Sequence, residues 1–503
     1  MTLRPTYRHP RAREYGAPDG PWDLPSLDAV LSGATRTARG VLVVDESDGT
    51  RLDGRALEAM VAHVAGGLRE RGVGRGDVVA WQAPNWHEVV VLYRACWRLG
   101  AVAAPIHHLA GEADATRMLE AIGPAVWLPR SDVRGDAFAR LLTGAPVTTS
   151  PARPSDLAAV VFTSGSTGGP KAALHTQRSL AYKARTMVGV HGLRRRDVVA
   201  MPAPLAHVSG LLNGVLVPGA APFTTYLIER WDPARALDTI ARERISFMIG
   251  PTTFFLGLMH DPAFTPEKVA SLRLVSSGGG GVSAAFVEEA SRVLGARVKR
   301  TYGSTEAPTI ATSGPRDSRH RAARTDGRAI GAVALRVTDP SNGREVLHGE
   351  RGELWVQGPE LFSGYVEAEQ TAAAVTRGWF RTGDLATLDP DGWLTIVGRI
   401  KDVIIRAGEN ISATEVESVL EAHPAVRQAV AVGEPDDRLG ERVCAFVVTT
   451  GAFDLAACRA WFTDQGVARF KTPERVEVLA EFPLLASGKP DRTALRARLS
   501  PPN

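Results

Sequence analysis

Leu157-Ala158-Ala159-Val160-Val161-Phe162 runs straight into Thr163-Ser164-Gly165-Ser166-Thr167-Gly168-Gly169-Pro170-Lys171, and this junction decides how the 503-residue chain is read. Six apolar residues in a row predict a strand buried on both faces, the pattern of a parallel sheet. The glycines that follow let backbone N–H groups approach an anion. The hydroxyls of Thr163, Ser164, Ser166 and Thr167 add donors and Lys171 adds a positive charge, so the loop has what a polyphosphate needs. It is not a Walker A loop: Pro170 stands where that pattern requires glycine, and Ala172 where it requires the magnesium-binding Ser or Thr. A flexible Ser/Gly linker seldom follows a buried strand and ends in Pro-Lys. The expectation is a phosphate cradle outside the P-loop class.

The same alternation of apolar runs and helical periods extends in both directions. Leu57, Met60, Val61, Val64 and Leu68 fall at helical spacing, and Gly72, Gly74 and Gly76 end the segment. A strand at 78–81, a helix at 87–99 and a second apolar run at 101–106 complete a βαβ unit. Strands are expected at 198–201, 223–227, 245–249 and 272–276, with helices at 233–242 and 283–294. From 331 to 355 the pattern changes to short runs separated by Asp-Pro, Asn-Gly and Gly-Glu turns, as in an antiparallel β segment. Beyond Arg399 comes a compact set with helices at 414–422 and 454–463 and strands at 426–432, 443–448 and 475–479. The fold class expected is therefore α/β: a large N-terminal domain (1–399) with parallel-rich sheets and a β subdomain, and a small mobile α+β C-terminal domain (400–503), hinged near Lys401.

Composition sets the class. Hydrophobic residues make up 44% and charged residues 23%, which fits a soluble globular chain and excludes a disordered one. A net charge of +4 spread over 503 residues does not argue for nucleic acid. Cys96, Cys444 and Cys458 are widely spaced and form no zinc or CxxC pattern, so a reducing cytoplasm is expected. Arg4, Arg8, Arg11 and Arg13 lie in an N-terminal stretch without the apolar core of a secretory signal, and we read it as a solvated lead-in. The nearest approach to a membrane span, 211–223, is interrupted by Asn213, Pro218 and Pro222.

Four further strings follow the loop in order: Tyr302-Gly303-Ser304-Thr305-Glu306, Trp379-Phe380-Arg381-Thr382-Gly383-Asp384, Gly398-Arg399-Ile400-Lys401-Asp402 and Pro483-Leu484-Leu485-Ala486-Ser487-Gly488-Lys489. With them the chain resembles the adenylate-forming superfamily of acyl-CoA synthetases, aryl-CoA ligases, luciferases and peptide-synthetase adenylation domains, from about residue 52 to 495. The resemblance implies that Thr163, Ser164, Gly165, Ser166, Thr167 and Lys171 hold the phosphates of ATP. It implies that Tyr302 and Gly303 lie near the adenine, that Thr305 contacts the phosphates or the substrate carboxylate, and that Glu306 binds Mg²⁺. Asp384 and Arg399 match the ribose ligands, Lys401 the interdomain hinge, Gly408 the lining of a pantetheine tunnel, and Lys489 the catalytic lysine carried in by the small domain. The residue chemistry agrees. One carboxylate plus ATP oxygens suits a hard cation, an acceptor and a planar donor suit a diol, and a mobile ammonium suits charge building at an α-phosphorus.

For the acid, Pro204-Leu205-Ala206-His207-Val208-Ser209-Gly210 matches the segment that bears an aromatic or histidine gate, His207, at the acyl pocket. It lacks the Asp that pairs with an α-ammonium, which disfavours an amino-acid substrate. Gly278-Gly279-Gly280-Gly281 departs from the Gly-Gly-Ala and larger residue of relatives. The bare positions Gly280 and Gly281 open room for a bulky or aromatic acid, loosen the adenine contact, or reflect drift. His107-His108 looks like a metal pair without partners at ligand spacing, and is expected to be structural. The activity implied is an ATP- and Mg²⁺-dependent acid:CoA ligase for an aryl or medium-size acid, with the small-molecule acid and CoA as partners. The alternatives are loading of a carrier protein, nitrite activation for aryl-amine diazotisation, and a non-catalytic nucleotide sensor.

Overall fold

The decisive run is a strand, Leu157–Phe162, buried at all six positions, in a computed structural model that describes residues 3–163, 170–436, 438–485 and 488–499. It lies in a five-stranded sheet ordered Val126–Leu128, Val78–Gln82, Val102–Ile106, Leu157–Phe162, Ala172–Thr176. The first four strands are parallel, and only the edge strand Ala172–Thr176 runs antiparallel, with Phe162 facing Ala172. The glycine-rich loop therefore joins two strands of a hairpin. A P-loop would need a helix after the loop, so the topology gives a second reason for rejecting that class.

A larger, fourteen-stranded sheet holds six parallel strands in the order Val41–Asp45, Thr224–Leu227, Val198–Met201, Phe247–Gly250, Leu274–Gly278, Arg297–Tyr302. Its apolar faces meet helices such as Pro233–Glu243 and Ala284–Val293, as the sequence periods predict. The antiparallel segment expected as a β subdomain is continuous with this sheet. Two very short strands, Ala311–Thr312 and Gly327–Ala329, carry the hydrogen bonding from Arg297–Tyr302 across to Trp393–Arg399 and Trp379–Leu388.

Between the sheets, the helix His87–Leu99 is buried at every position, charged residues included. Its Arg98 donates from Nε to both oxygens of Asp28 (2.8 and 2.9 Å) and from Nη2 to Glu58 (2.8 Å), while Arg94 reaches Thr35, Ser32 and Glu58. Charges that deep are tolerated because each is paired and hydrogen-bonded.

From Val403 onward the chain forms its own sheet, Glu409–Ser412, Val403–Arg406, Gly440–Thr449 and Val426–Asp436, with Arg475–Val478 parallel to Gly440–Thr449. Helices Ala413–Glu421 and Leu455–Asp464 cover a separate core of Ile404, Val416, Leu420, Val443 and Phe462.

The N-terminal stretch is not a solvated lead-in. Leu3, Tyr15 and Trp22 are buried, Tyr15 and Trp22 stack edge to face 5.2 Å apart, and Arg178 lies 3.7 Å over the Trp22 ring. Thr6 and Tyr7 donate their N–H groups to Ser363 O (3.0 and 2.9 Å). The arginines masked an interleaved aromatic set that buries enough apolar area to hold the segment down. The three cysteines are free and buried, and no helix among the described residues is long and apolar enough to cross a membrane.

Replacing Arg98 by Met keeps its length but strands Asp28 without its partner. We expect a loss of about 3–5 kcal/mol in urea-denaturation stability, and a change below about 1 kcal/mol would show that the pair contributes no more than a surface bridge.

Candidate active site

The parallel strands Leu274–Gly278 and Arg297–Tyr302 end side by side, and ligands of open α/β sheets gather at such carboxyl ends. Close approach explains the first glycines. A Cβ on Gly278 would stand 2.3 Å from Thr301 O, and one on Gly303 would stand 2.2 Å from Thr309 N. Only without a side chain can the chain turn back so that Ile310 N–H reaches Tyr302 O (2.8 Å) and Ser304 N–H reaches Ala307 O (3.0 Å). This turn displays Thr305 and Glu306.

Both are held from the hairpin side. His175 Nε2 lies 2.9 Å from Thr305 O and must donate to it; burial drops the His175 pKa to about 4, so the ring is neutral. Glu306 Oε1 accepts from Tyr365 Oη at 2.5 Å, and the Phe362 N–H bonds Glu306 O at 2.8 Å. Burial first, then the Glu306 charge, pushes the Tyr365 phenol far up, so it stays a donor. Lys171 Nζ lies 5.3 Å from the centre of the Tyr365 ring. The ends of the glycine-rich loop are tied by Thr163 N–H to Lys171 O, 2.9 Å; Ser164, Gly165, Ser166 and Thr167 lie outside the described residues. Sequence reasoning missed Tyr365 and His175. Neither stands in a recognised string, and only their shared position on the paired segments Ala172–Thr176 and 362–366 brings them in.

Asp384 and Arg399 face each other across the antiparallel pair Trp379–Leu388 and Trp393–Arg399. Arg399 Nε lies 2.9 Å from Asp384 Oδ1, and Tyr302 Oη donates to Oδ2 at 2.6 Å. Asp384 is buried, and desolvation followed by its charge raises the Tyr302 pKa well above the usual phenol value. Tyr302, Asp384 and Arg399 thus form one linked group.

Lys489 joins that group from the C-terminal unit. Thr253 Oγ1 donates to Gly488 O (3.0 Å), and Leu485 N–H donates to Lys489 O (2.7 Å). A Cβ on Gly279 would stand 3.1 Å from Lys489 Cε and 3.4 Å from Nζ. Burial, and then the Arg399 charge, pulls the ammonium down to about 8, with Asp384 opposing. Gly280 faces open space, while a Cβ on Gly281 would lie 3.7 Å from Thr414 Cγ2. In the glycine strip it is Gly279, which the sequence reading passed over, whose bare Cα leaves room for the lysine. Ala486 and Ser487 lie outside the described residues.

His207 is drawn down to about 4 by burial, then by Lys489 and His108. Its ring centre lies 4.9 Å from that of His107, which stacks on His108 at 4.6 Å. The histidine pair therefore has a third imidazole that spacing along the chain did not reveal. Gly408 is not brought to this group: it sits exposed at the tip of the Val403–Arg406 and Glu409–Ser412 hairpin, where Ala407 (φ 49°) and Gly408 (φ 87°) make the turn.

Residues 32–366 match the AMP-binding enzyme family, and residues 415–489 match the AMP-binding enzyme C-terminal domain. The medium-chain fatty-acid–CoA ligase of Escherichia coli K12 is 31% identical over 535 aligned positions, covering 99% of this chain and 94% of the relative. The indoleacetate–CoA ligase of Aromatoleum aromaticum is 31% identical, covering 86% and 90%. The crystal structure of ATP-bound MatB from Rhodopseudomonas palustris superposes with a TM-score of 0.87 at 29% identity, covering 94% and 98%.

Gly303→Ala should lower stability by about 1–3 kcal/mol and weaken ATP binding in calorimetry, because the new methyl must displace Thr309. Wild-type ATP affinity and unchanged thermal unfolding would show that the turn has slack.

Proposed function

The chain belongs to the AMP-binding enzyme family and is an ATP-dependent, AMP-forming ligase, and from that premise we propose that it joins a carboxylic acid to CoA in two steps. In the first, a carboxylate oxygen attacks the α-phosphorus of ATP, the bond to the bridging oxygen breaks, and pyrophosphate leaves. In the second, the CoA thiol loses its proton and its sulfur attacks the acyl carbon, expelling AMP.

The observation that carries this reading is the delivery of Lys489 from the C-terminal unit to Gly279, within the field of Asp384 and Arg399. An ammonium there offsets the charge that builds on the phosphate oxygens as the carboxylate attacks. Asp384 and Arg399 offer an acceptor and a planar donor to the ribose diol, and Tyr302 fixes the acceptor. Lys171 and the hydroxyls of 163–167 take the phosphates. Glu306, whose one oxygen is engaged by Tyr365, offers the other, which has no partner among the described residues, to Mg²⁺, and the donor type fits a hard cation. That ion supplies charge neutralisation on the phosphates when bound. Thr305 is positioned through His175 to meet phosphate or carboxylate. With pyrophosphate gone, rotation near Lys401 would withdraw Lys489 and bring Gly408 toward a thiol channel, so residues 1–399 and 400–503 act as body and lid. The acid is aryl or medium-size; the names of the two ligase relatives support this, and no carboxylate in 204–210 awaits an α-ammonium. Three buried free thiols support a reducing, cytoplasmic setting.

Lys489→Ala should abolish substrate-dependent pyrophosphate release while leaving the unfolding midpoint in place; adenylate formation at the wild-type rate would overturn the role of Lys489. The charged form is the active one, so kcat/KM for adenylate formation should fall as pH rises through about 8. A profile flat to pH 10 would place the ammonium elsewhere. Mass spectrometry should detect an acyl-CoA only when CoA is supplied, and adenylate without thioester would point to another acceptor.

A further inference from the structure

His107 and His108 follow the parallel strand Val102–Ile106 of one sheet, and His207 follows Val198–Met201 of the other, so the ends of two sheets meet in three imidazoles. Their placement is built. Gln82 Nε2 donates to His107 O and Ala110 O, both at 3.0 Å, and closes the turn that carries the pair. The Leu109 N–H donates to His107 Nδ1 at 3.0 Å, which fixes the lone pair there. The ring proton of neutral His107 must then sit on Nε2. That Nε2 is buried without a partner, and so are Nδ1 of His108 and Nε2 of His207. Burial keeps all three rings neutral at physiological pH, with His107 near 3 and His207 near 4. The charges acting on His207 and His108 from outside the trio are cationic, Lys489 and Arg130.

A buried N–H with no acceptor is unfavourable, and an incoming oxygen relieves it where a methylene does not. We propose that His107, His108 and His207 form an oxygen-recognition subsite of the acid pocket, so that the substrate is an acid bearing a second oxygen acceptor beyond its reacting carboxylate. This rests on the acid-activating reading above. A hydroxyl, a ketone or a second carboxylate shares the required chemistry, and the cationic surroundings suit the carboxylate best.

The test is a panel of matched acids: hexanoic, 6-hydroxyhexanoic, 5-oxohexanoic and adipic, and phenylacetic with 4-hydroxyphenylacetic. Pyrophosphate release is followed for each, and acid binding is followed by calorimetry with a non-hydrolysable ATP analogue. Wild-type enzyme should favour at least one class of oxygenated acid over its hydrocarbon match by at least about tenfold in both readouts. His107→Leu should collapse that ratio, and His107→Gln, which restores an N–H, should recover part of it, with the unfolding midpoint confirming that each variant folds. Equal or better use of hydrocarbon acids by the wild type, or an equal loss on every acid in His107→Leu, would overturn the subsite. Discrimination in binding without pyrophosphate release would instead count against the activation chemistry and leave the subsite standing.

Discussion

Strand ends at Gly278 and Tyr302 can lie flush only because no side chain stands between Gly278 and Thr301 or between Gly303 and Thr309. That steric condition governs the rest. With the turn after Tyr302 drawn back on itself, the phenol is aimed at Asp384 and the Glu306 carboxylate at Tyr365. One strand register therefore sets the spacing between the Asp384–Arg399 pair and the Glu306 carboxylate. A methyl group at either glycine would move both together.

Charge is distributed with similar economy. Asp384 is the acid that opposes the Arg399 charge at Lys489, and it already accepts from Tyr302. The lysine is a half-buried cation whose pKa is lowered by burial and then by the nearby Arg399 charge, with Asp384 opposing, and such a site favours a ligand that brings negative charge. Neutral histidines alongside add polarity without competing for that charge.

Much of this was legible along the chain because each sheet strand buried on both faces reads as an apolar run, and because the glycine- and hydroxyl-rich strings sit directly after such runs. The short strands Ala311–Thr312 and Gly327–Ala329 were not legible. Two or three residues carry no period, and only they reveal that the β segment and the parallel body share one sheet. His207 lies a hundred positions from His107, so their meeting depends on how two sheets abut. Tyr365 and His175 stand in strings with no chemical signature, and the aromatic residues before Trp22 were hidden by the arginines among them. In the glycine strip the departure from relatives lies at Gly280 and Gly281, while the close contact with Lys489 falls at Gly279, whose φ of 85° also suits it to glycine.

The bond from Thr163 N–H to Lys171 O, at the base of the hairpin Leu157–Phe162 and Ala172–Thr176, has a thermodynamic meaning. Bringing the ends of a flexible segment together costs entropy that grows slowly with its length. Here that entropy is lost when the sheet forms, long before any nucleotide arrives. A ligand that binds beside Thr163 and Lys171 therefore spends none of its binding free energy on bringing those two ends together.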